Sequence, residues 1–211
     1  MTASFREYQP APGPSALSQA GTAEAALRRP YLSLCELPDA VLLRLHSLQE
    51  PGRLAAAMAR AGMDLPLDTN EAAGLDPSIV CLRPGEWLLL GQHQPAAELI
   101  ERICNQVDPS LTAVHDLSDG LGVFRLGGEA SPWLLAKLSG LDFLAGVSPG
   151  QHGARTRIGE IAAVLHFCPE QDGTPRFDLV VDRSVAKYLY DLLSDGAPHA
   201  EELFARHGAA A

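Results

Sequence analysis

Val41-Leu42-Leu43-Arg44-Leu45 and Gly122-Val123-Phe124-Arg125-Leu126 are two short apolar runs with an arginine at the same place in each. Both read as strands. The match continues in one register. The arginines are 81 positions apart (44 and 125), Pro51 and Pro132 share that offset, and so do Leu54 and Leu135. Proline suits the first turn of a helix, where its missing N–H is not needed. A strand, a helix start and a helix stripe recurring together point to a duplicated domain, and two copies are too few for a solenoid.

Working outward, Leu54, Ala57, Met58 and Ala61 give a helical stripe that Gly62 ends. Ile79–Leu82 and Glu86–Leu90 form a hairpin around Arg83-Pro84-Gly85. Pro95 opens a helix through Leu99, Ile100 and Ile103, and a strand follows over 112–117. In the second half, Gly127-Gly128 turns the chain into a helix carrying Trp133, Leu134, Leu135 and Leu138. Strands over 156–158, 161–167 and 177–181 come next. Ser184 is placed to cap a last helix with Val185, Tyr188, Leu189 and Leu192 on its stripe. Trp87-Leu88-Leu89-Leu90 resembles Asp178-Leu179-Val180-Val181, each lying before a helix.

The expected fold class is therefore α+β, built of duplicated β-α-β-β-α-β-type units. Such units form mixed or antiparallel sheets with helices packed on one face. Residues 31–118 and 119–211 are the two units, packed as one compact body. Residues 1–30, rich in Ala, Pro, Ser and Gly with Phe5 and Tyr8 as aromatics, read as an extended or flexible N-terminal arm. Such an arm is either free or ordered against a partner.

Twenty-six acidic against 16 basic residues give a formal net charge of −10. That field repels phosphate backbones and anionic membranes, so neither nucleic acid nor membrane is an expected partner. No run approaches the ~18 apolar residues of a membrane span, and the N-terminus has no basic start followed by an apolar stretch. Cytoplasm is the expected location. Cys35, Cys81, Cys104 and Cys168 have neither CxxC nor zinc-finger spacing and read as four buried thiols.

His115, Asp116, Ser118 and Asp119 invite a triad, but neighbours on a strand point to opposite faces, and Asp119-Gly120 reads as a turn. Gly120-Leu121-Gly122 starts like a dinucleotide loop, yet its sixth position is Arg125 and it runs into a strand rather than a helix. His46, His93, His115, His152, His166, His199 and His207 include no i, i+4 pair and read as surface or capping residues. Trp87 and Trp133 read as core anchors. Arg176 and Arg183 flank the last strand, facing either acidic neighbours or a partner. No catalytic, cofactor-binding or metal-ligating residue is expected in this chain.

Five pieces in order carry a resemblance over about residues 36–195: Leu37-Pro38-Asp39, Pro84 to Leu90, Val114 to Gly120, Phe124 to Gly127, and Phe177 to Ser184. Together they resemble the gamma subunit of heterotetrameric sarcosine oxidase. The resemblance implies a fold similar to the folate-binding domain of aminomethyltransferases. It implies a cytoplasmic bacterial flavoprotein of four different chains that oxidises sarcosine to glycine and peroxide and passes the one-carbon unit to tetrahydrofolate. NAD, FAD, FMN, zinc and tetrahydrofolate are then held by other chains. The alpha subunit would be this chain's main contact, with the beta and delta subunits in the same hetero-oligomer. Folate-binding relatives use the Asp of an Asn-Asp pair; here Leu141-Asp142 stands in that place, so Asp142 reads as a carboxylate that structures its loop. The expected function is that of a non-catalytic structural gamma subunit. The alternative is a free-standing folate-binding aminomethyltransferase-like protein.

Overall fold

A computed structural model describes residues 15–19, 26–143, 152–171 and 173–208. The elements, in chain order, are α1 (Ala16–Gln19), β1 (Ala26–Arg28), β2 (Ser33–Glu36), β3 (Val41–Ser47), α2 (Pro51–Arg60), β4 (Ala72–Ala73), β5 (Ser78–Arg83), β6 (Glu86–Gly91), α3 (Ala96–Cys104), β7 (Thr112–Asp116), β8 (Leu121–Gly127), α4 (Ser131–Leu138), β9 (His152–Ile158), β10 (Ile161–Gln171), β11 (Thr174–Asp182) and α5 (Ala186–His207).

The strands make two antiparallel sheets. Sheet I runs β4-β5-β6-β3-β7 and sheet II runs β1-β2-β8-β11-β10-β9. The duplication is visible in this order, since β3, β6 and β5 of sheet I take the places of β8, β11 and β10 in sheet II. One strand is exchanged. The place beside β8 that matches β7 is filled by β2, from the beginning of the chain, with Ser33 opposite Gly127 and Glu36 opposite Phe124. A strand inside the stretch 31–118 thus completes the sheet of the second half.

The register also corrects one sequence match. Arg44 lies opposite Leu88, and Arg125 lies opposite Asp178. Leu88, not Trp87, is therefore the counterpart of Asp178. A slip of one residue matters, because it moves a side chain to the other face of the sheet.

Alternation along the strands sorts residues into layers. Leu43 and Leu45 pack against α2 and α3 with Leu54, Met58, Leu99 and Ile103. Phe124 and Leu126 pack against α4 and α5 with Leu134, Leu135, Leu189 and Leu193. The intervening positions, among them Leu42, Leu88, Val123 and Val180, meet between the sheets. The result is helices, sheet I, sheet II, helices. Each buried Leu in these layers contributes about 1.5–3 kcal/mol.

Helix ends follow local chemistry. Pro51 opens α2, and the Glu50 carboxylate accepts from the N–H of Gly52 (3.0 Å) and Arg53 (2.9 Å). Gly62, at φ 74°, ends it, since a left-handed backbone favours glycine. Before α5 the cap is Asp182 rather than Ser184. Its Oδ1 accepts from the Ser184 N–H (2.8 Å) and hydroxyl (2.5 Å), and a short 3-10 turn over Arg183–Val185 precedes the helix. β9 is longer than the expected 156–158, because its first residues reach across to sheet I. Gly153 N–H donates to Asn70 O at 2.9 Å, and a Cβ on Gly153 would stand 2.3 Å from Val80 Cγ1.

Within 1–30, the described residues are held by this chain itself. Ala16 and Leu17 are buried in the core under α5, and the Glu36 carboxylate accepts from Ser15 Oγ and from Ala16 N–H (2.7 Å). β1 pairs with β2, and Glu201 of α5 accepts from Arg29 Nε (2.7 Å) and Tyr31 N–H (2.8 Å). Phe5 and Tyr8 lie outside the described residues.

Candidate functional site

The layer between the sheets holds the buried Glu86, His166 and Asp178, and both repeated arginines point into it. Arg125 Nε and Nη2 donate to Asp178 Oδ1 (2.7 Å) and Oδ2 (2.8 Å), a two-pronged pair in which the carboxylate is nearly inaccessible. His166 Nδ1 lies 4.0 Å from Asp178 Oδ2 and 3.6 Å from Cys168 Sγ. His166 Nε2 meets Ser78 Oγ of sheet I at 2.9 Å, so one buried bond ties the two sheets together. Arg125 Nη1 adds a second tie, donating to Gln92 Oε1 at 3.2 Å.

The electrostatics follow from this enclosure. Burial by itself would raise the Asp178 carboxyl, but the two hydrogen bonds and the charge of Arg125, with the His166 ring close by, outweigh it and hold the group well below the usual range. Cys168 moves the other way. Burial first, and the Asp178 charge second, push its thiol up to about 12. That thiol is neutral and a poor nucleophile.

The other arginine serves a second buried acid. Glu86 accepts from Arg44 Nη2 at 2.5 Å and from Arg83 Nε, with Arg155 Nη1 3.8 Å away. Burial would raise its carboxyl, yet Arg83, Arg44 and Arg155 together lower it. Beside Glu86 the sheets separate around a cavity of about 530 Å³. Its floor is apolar, with Leu82, Leu88, Val164 and Val180, and its walls carry Arg44, Arg155 and Arg157. β9 explains the shape. Its inward positions are Gly153, where the sheets touch, and then Arg155 and Arg157, whose long side chains stand in the gap.

Among the described residues, one group has the donor set for a metal ion: His166, Cys168 and Asp178, all buried. The spacings suit a tetrahedral ion, and Nδ1 of His166 is the ring nitrogen that faces the other two. The charges do not suit it. Both Asp178 oxygens accept from Arg125, so a cation would sit against a guanidinium and beside a thiol that holds its proton. The group reads as one carboxylate surrounded by donors.

The residues singled out from sequence fall as follows. His115 and Asp116 are exposed on β7, and Asp116 Oδ1 accepts from the Ser118 N–H (2.9 Å) and hydroxyl (2.6 Å), which makes a turn, not a triad. Asp119 is exposed, and its carbonyl accepts from Arg183 Nη1 at 3.1 Å. Gly120 to Gly122 leads into β8, so no helix receives a dinucleotide there. Trp87 is a core residue whose Nε1 donates to Pro66 O at 2.7 Å, and Trp133 packs on the second core. Asp142 is exposed beside Phe143, which joins Phe167 and Phe177 in an aromatic cluster. Arg176 lies on β11 opposite Gly127.

Two expectations are corrected. Not all histidines sit at the surface, because His166 takes an inward position on β10 and is 3% exposed. Nor are all four thiols buried: Cys81 and Cys168 are, Cys35 is half-buried and Cys104 is exposed. Cys104 ends α3, off the face that buries Leu99 and Ile103. The Arg125–Asp178 and Arg44–Glu86 pairs were missed. Their signal was an arginine recurring at an inward strand position beside acids that alternate onto the same face.

Comparison with known proteins follows the fold. The family model described as sarcosine oxidase, gamma subunit family, matches residues 47–199. No curated protein sequence matches the chain. Among solved structures, a heterotetrameric sarcosine oxidase from Corynebacterium sp. U-96, in complex with pyrrole 2-carboxylate, is similar, with a TM-score of 0.73 and 23% identity over 89% of this chain and 95% of that one. The glycine cleavage system aminomethyltransferase T from Bartonella henselae is similar at a TM-score of 0.56 and 14% identity over 78% of this chain. The match spans 46% of that transferase's length. These likenesses show the fold, which part of the aminomethyltransferase shares. No helix among the described residues is long and apolar enough to cross a membrane.

Proposed function

This chain belongs to the sarcosine oxidase gamma subunit family, and from that premise we propose that it is a non-catalytic structural subunit of a heterotetrameric, cytoplasmic sarcosine oxidase. In that complex the alpha subunit is its main contact, beta and delta complete the assembly, and FAD, FMN, NAD, zinc and tetrahydrofolate reside in those other chains. The observation that supports this is the state of the buried polar side chains. Asp178 is held by Arg125, Glu86 by Arg44 and Arg83, His166 by Ser78, and Glu201 by Arg29 and the Tyr31 N–H. Enzymes keep such groups facing a substrate with shifted protonation. Here they face one another.

Native mass spectrometry of the protein isolated from its own cells tests the reading. The expected result is a flavin-containing hetero-oligomer that includes this chain. Recovery of the chain only as a free monomer overturns it. The free-standing folate-binding alternative has the aminomethyltransferase fold in its favour. Calorimetric titration with tetrahydrofolate, beside Asp142→Ala, decides that one. Heat from the wild type that the variant loses would support it.

A further inference from the structure

The chain carries a formal net charge of −10, yet the mouth of the cleft between its sheets is basic. Arg44, Arg155 and Arg157 stand against two acids on the cleft walls, Glu86 and Asp182. Glu86 has a side chain 1% exposed and is already engaged by Arg44 and Arg83, while Arg155 makes only a longer ion pair to it at 3.8 Å and stays 54% exposed. Asp182 is committed to the cap at Ser184. Arg157 Nη2 donates to Glu160 O at 2.6 Å and to the 87% exposed Glu160 carboxylate at 3.2 Å, an ion pair of little energy in water, and its side chain stays 67% exposed. The guanidiniums of Arg155 and Arg157 thus stand half in solvent over an apolar floor of Leu82, Leu88, Val164 and Val180.

We infer that this cleft receives a segment of a partner subunit in which an acidic residue stands beside an apolar one. The guanidinium fork matches a carboxylate with two parallel N–H donors, and it is weakly hydrated enough to be covered. An apolar side chain in the cleft would displace water from Leu117, Leu121 and Val164, the lining residues that the sheets leave partly exposed. Arg155 and Arg157 alternate on one strand, so they approach the same carboxylate from one side while the floor takes its neighbour. The basic mouth on an acidic chain also favours the acidic segment over other surfaces of the partner. The inference rests on the reading of the chain as a subunit and names the contact.

The test is co-purification of the complete complex carrying Arg155→Glu or Arg157→Glu, with Arg53→Glu on the exposed face of α2 as the charge control. Each isolated variant is checked for unchanged circular dichroism and melting temperature. Arg155→Ala, which adds no charge, keeps the result readable if a Glu variant fails to fold. The expected result is that the Arg155 and Arg157 variants retain at most about a tenth of the complex at low salt, while Arg53→Glu retains it in full. Full assembly of the Arg155 and Arg157 variants overturns the cleft and leaves the subunit reading intact. A wild-type chain that assembles with nothing removes both. A dimer of the isolated chain that Arg155→Glu breaks places a second copy in the cleft and overturns the partner assigned to it.

Discussion

Arg44 and Arg125 occupy the same step of two repeated strands and point into the same layer, but each finds its carboxylate differently. Arg125 lies directly across the ladder from Asp178 and takes it with both prongs. Arg44 lies across from Leu88 and reaches diagonally to Glu86, which Arg83 also holds. One pair is closed; the other leaves a guanidinium at the rim of the cleft.

This difference predicts unequal costs. Asp178→Ala strands a guanidinium that is only 20% exposed, and it should lower stability by about 3–5 kcal/mol in urea unfolding. Replacing both partners, as in Arg125→Met with Asp178→Leu, should recover most of that loss. Arg44→Ala should cost clearly less than Arg125→Ala, because Glu86 keeps Arg83.

The same pairs set the dependence on pH. Asp178 and Glu86 are held below their ordinary values of 3.8 and 4.5. An unfolded chain therefore binds more protons than the folded one on the acid side. The stability they contribute is fully present above those values and is lost as pH falls through the lowered ones. Cys168 gives the opposite limb. Its thiol is raised from 9.0 to about 12, so its contribution is full below 9.0 and is lost as pH rises from there. A urea midpoint measured across pH should be flat near neutrality and fall on both sides. Asp178→Asn should shrink the acid limb, and Cys168→Ala the alkaline one.

Gly153 is the point where the sheets touch, and any side chain there meets Val80 Cγ1 and Leu165 O. Gly153→Ala should cost about 1–3 kcal/mol by overpacking. Val80→Ala in the same chain should recover part of it, as a cycle of urea melts would show.

The fold was legible where its signals were local. Pro51 and Pro132, the stripes through Leu54 and Leu135, and the Gly85 turn announce their elements within a few residues. What was not legible depends on pairing at a distance. Arg44 and Arg125 differ by 81 positions, but Leu88 and Asp178 differ by 90, because the loops of the two halves differ in length. The single offset of 81 therefore misaligns β6 with β11 by nine residues, and matching Trp87 with Asp178 by appearance misses the register by one. The exchange of β2 into sheet II leaves no local trace either, since Leu32 and Leu34 would suit an inner position in either sheet. His166 and Cys168 were readable in principle. They alternate with Leu165 and Phe167 along β10 and share a face with Val164. Only the second sheet, packed on that face, turns them from surface residues into a buried cluster.

Glu201 supplies the last prediction. It stands on α5, far along the chain from Arg29 and Tyr31, yet its two oxygens take Arg29 Nε and the Tyr31 N–H, and it is 8% exposed. Those bonds hold the entry into β2, the exchanged strand that completes sheet II. Glu201→Ala removes both acceptors and leaves the Tyr31 N–H without its partner, a loss of about 1–3 kcal/mol. The loss should be local, because the core under α5 keeps Leu189, Leu193 and Ala197. Limited proteolysis should therefore cut the variant near residues 26–32 several times faster than the wild type, while the remaining body melts within a few degrees of it. Hydrogen exchange at Leu34 and Cys35 should rise in step, since β2 is held at one end by this carboxylate and along its length by β8. Unchanged cleavage would mean that pairing with β8 alone retains the strand.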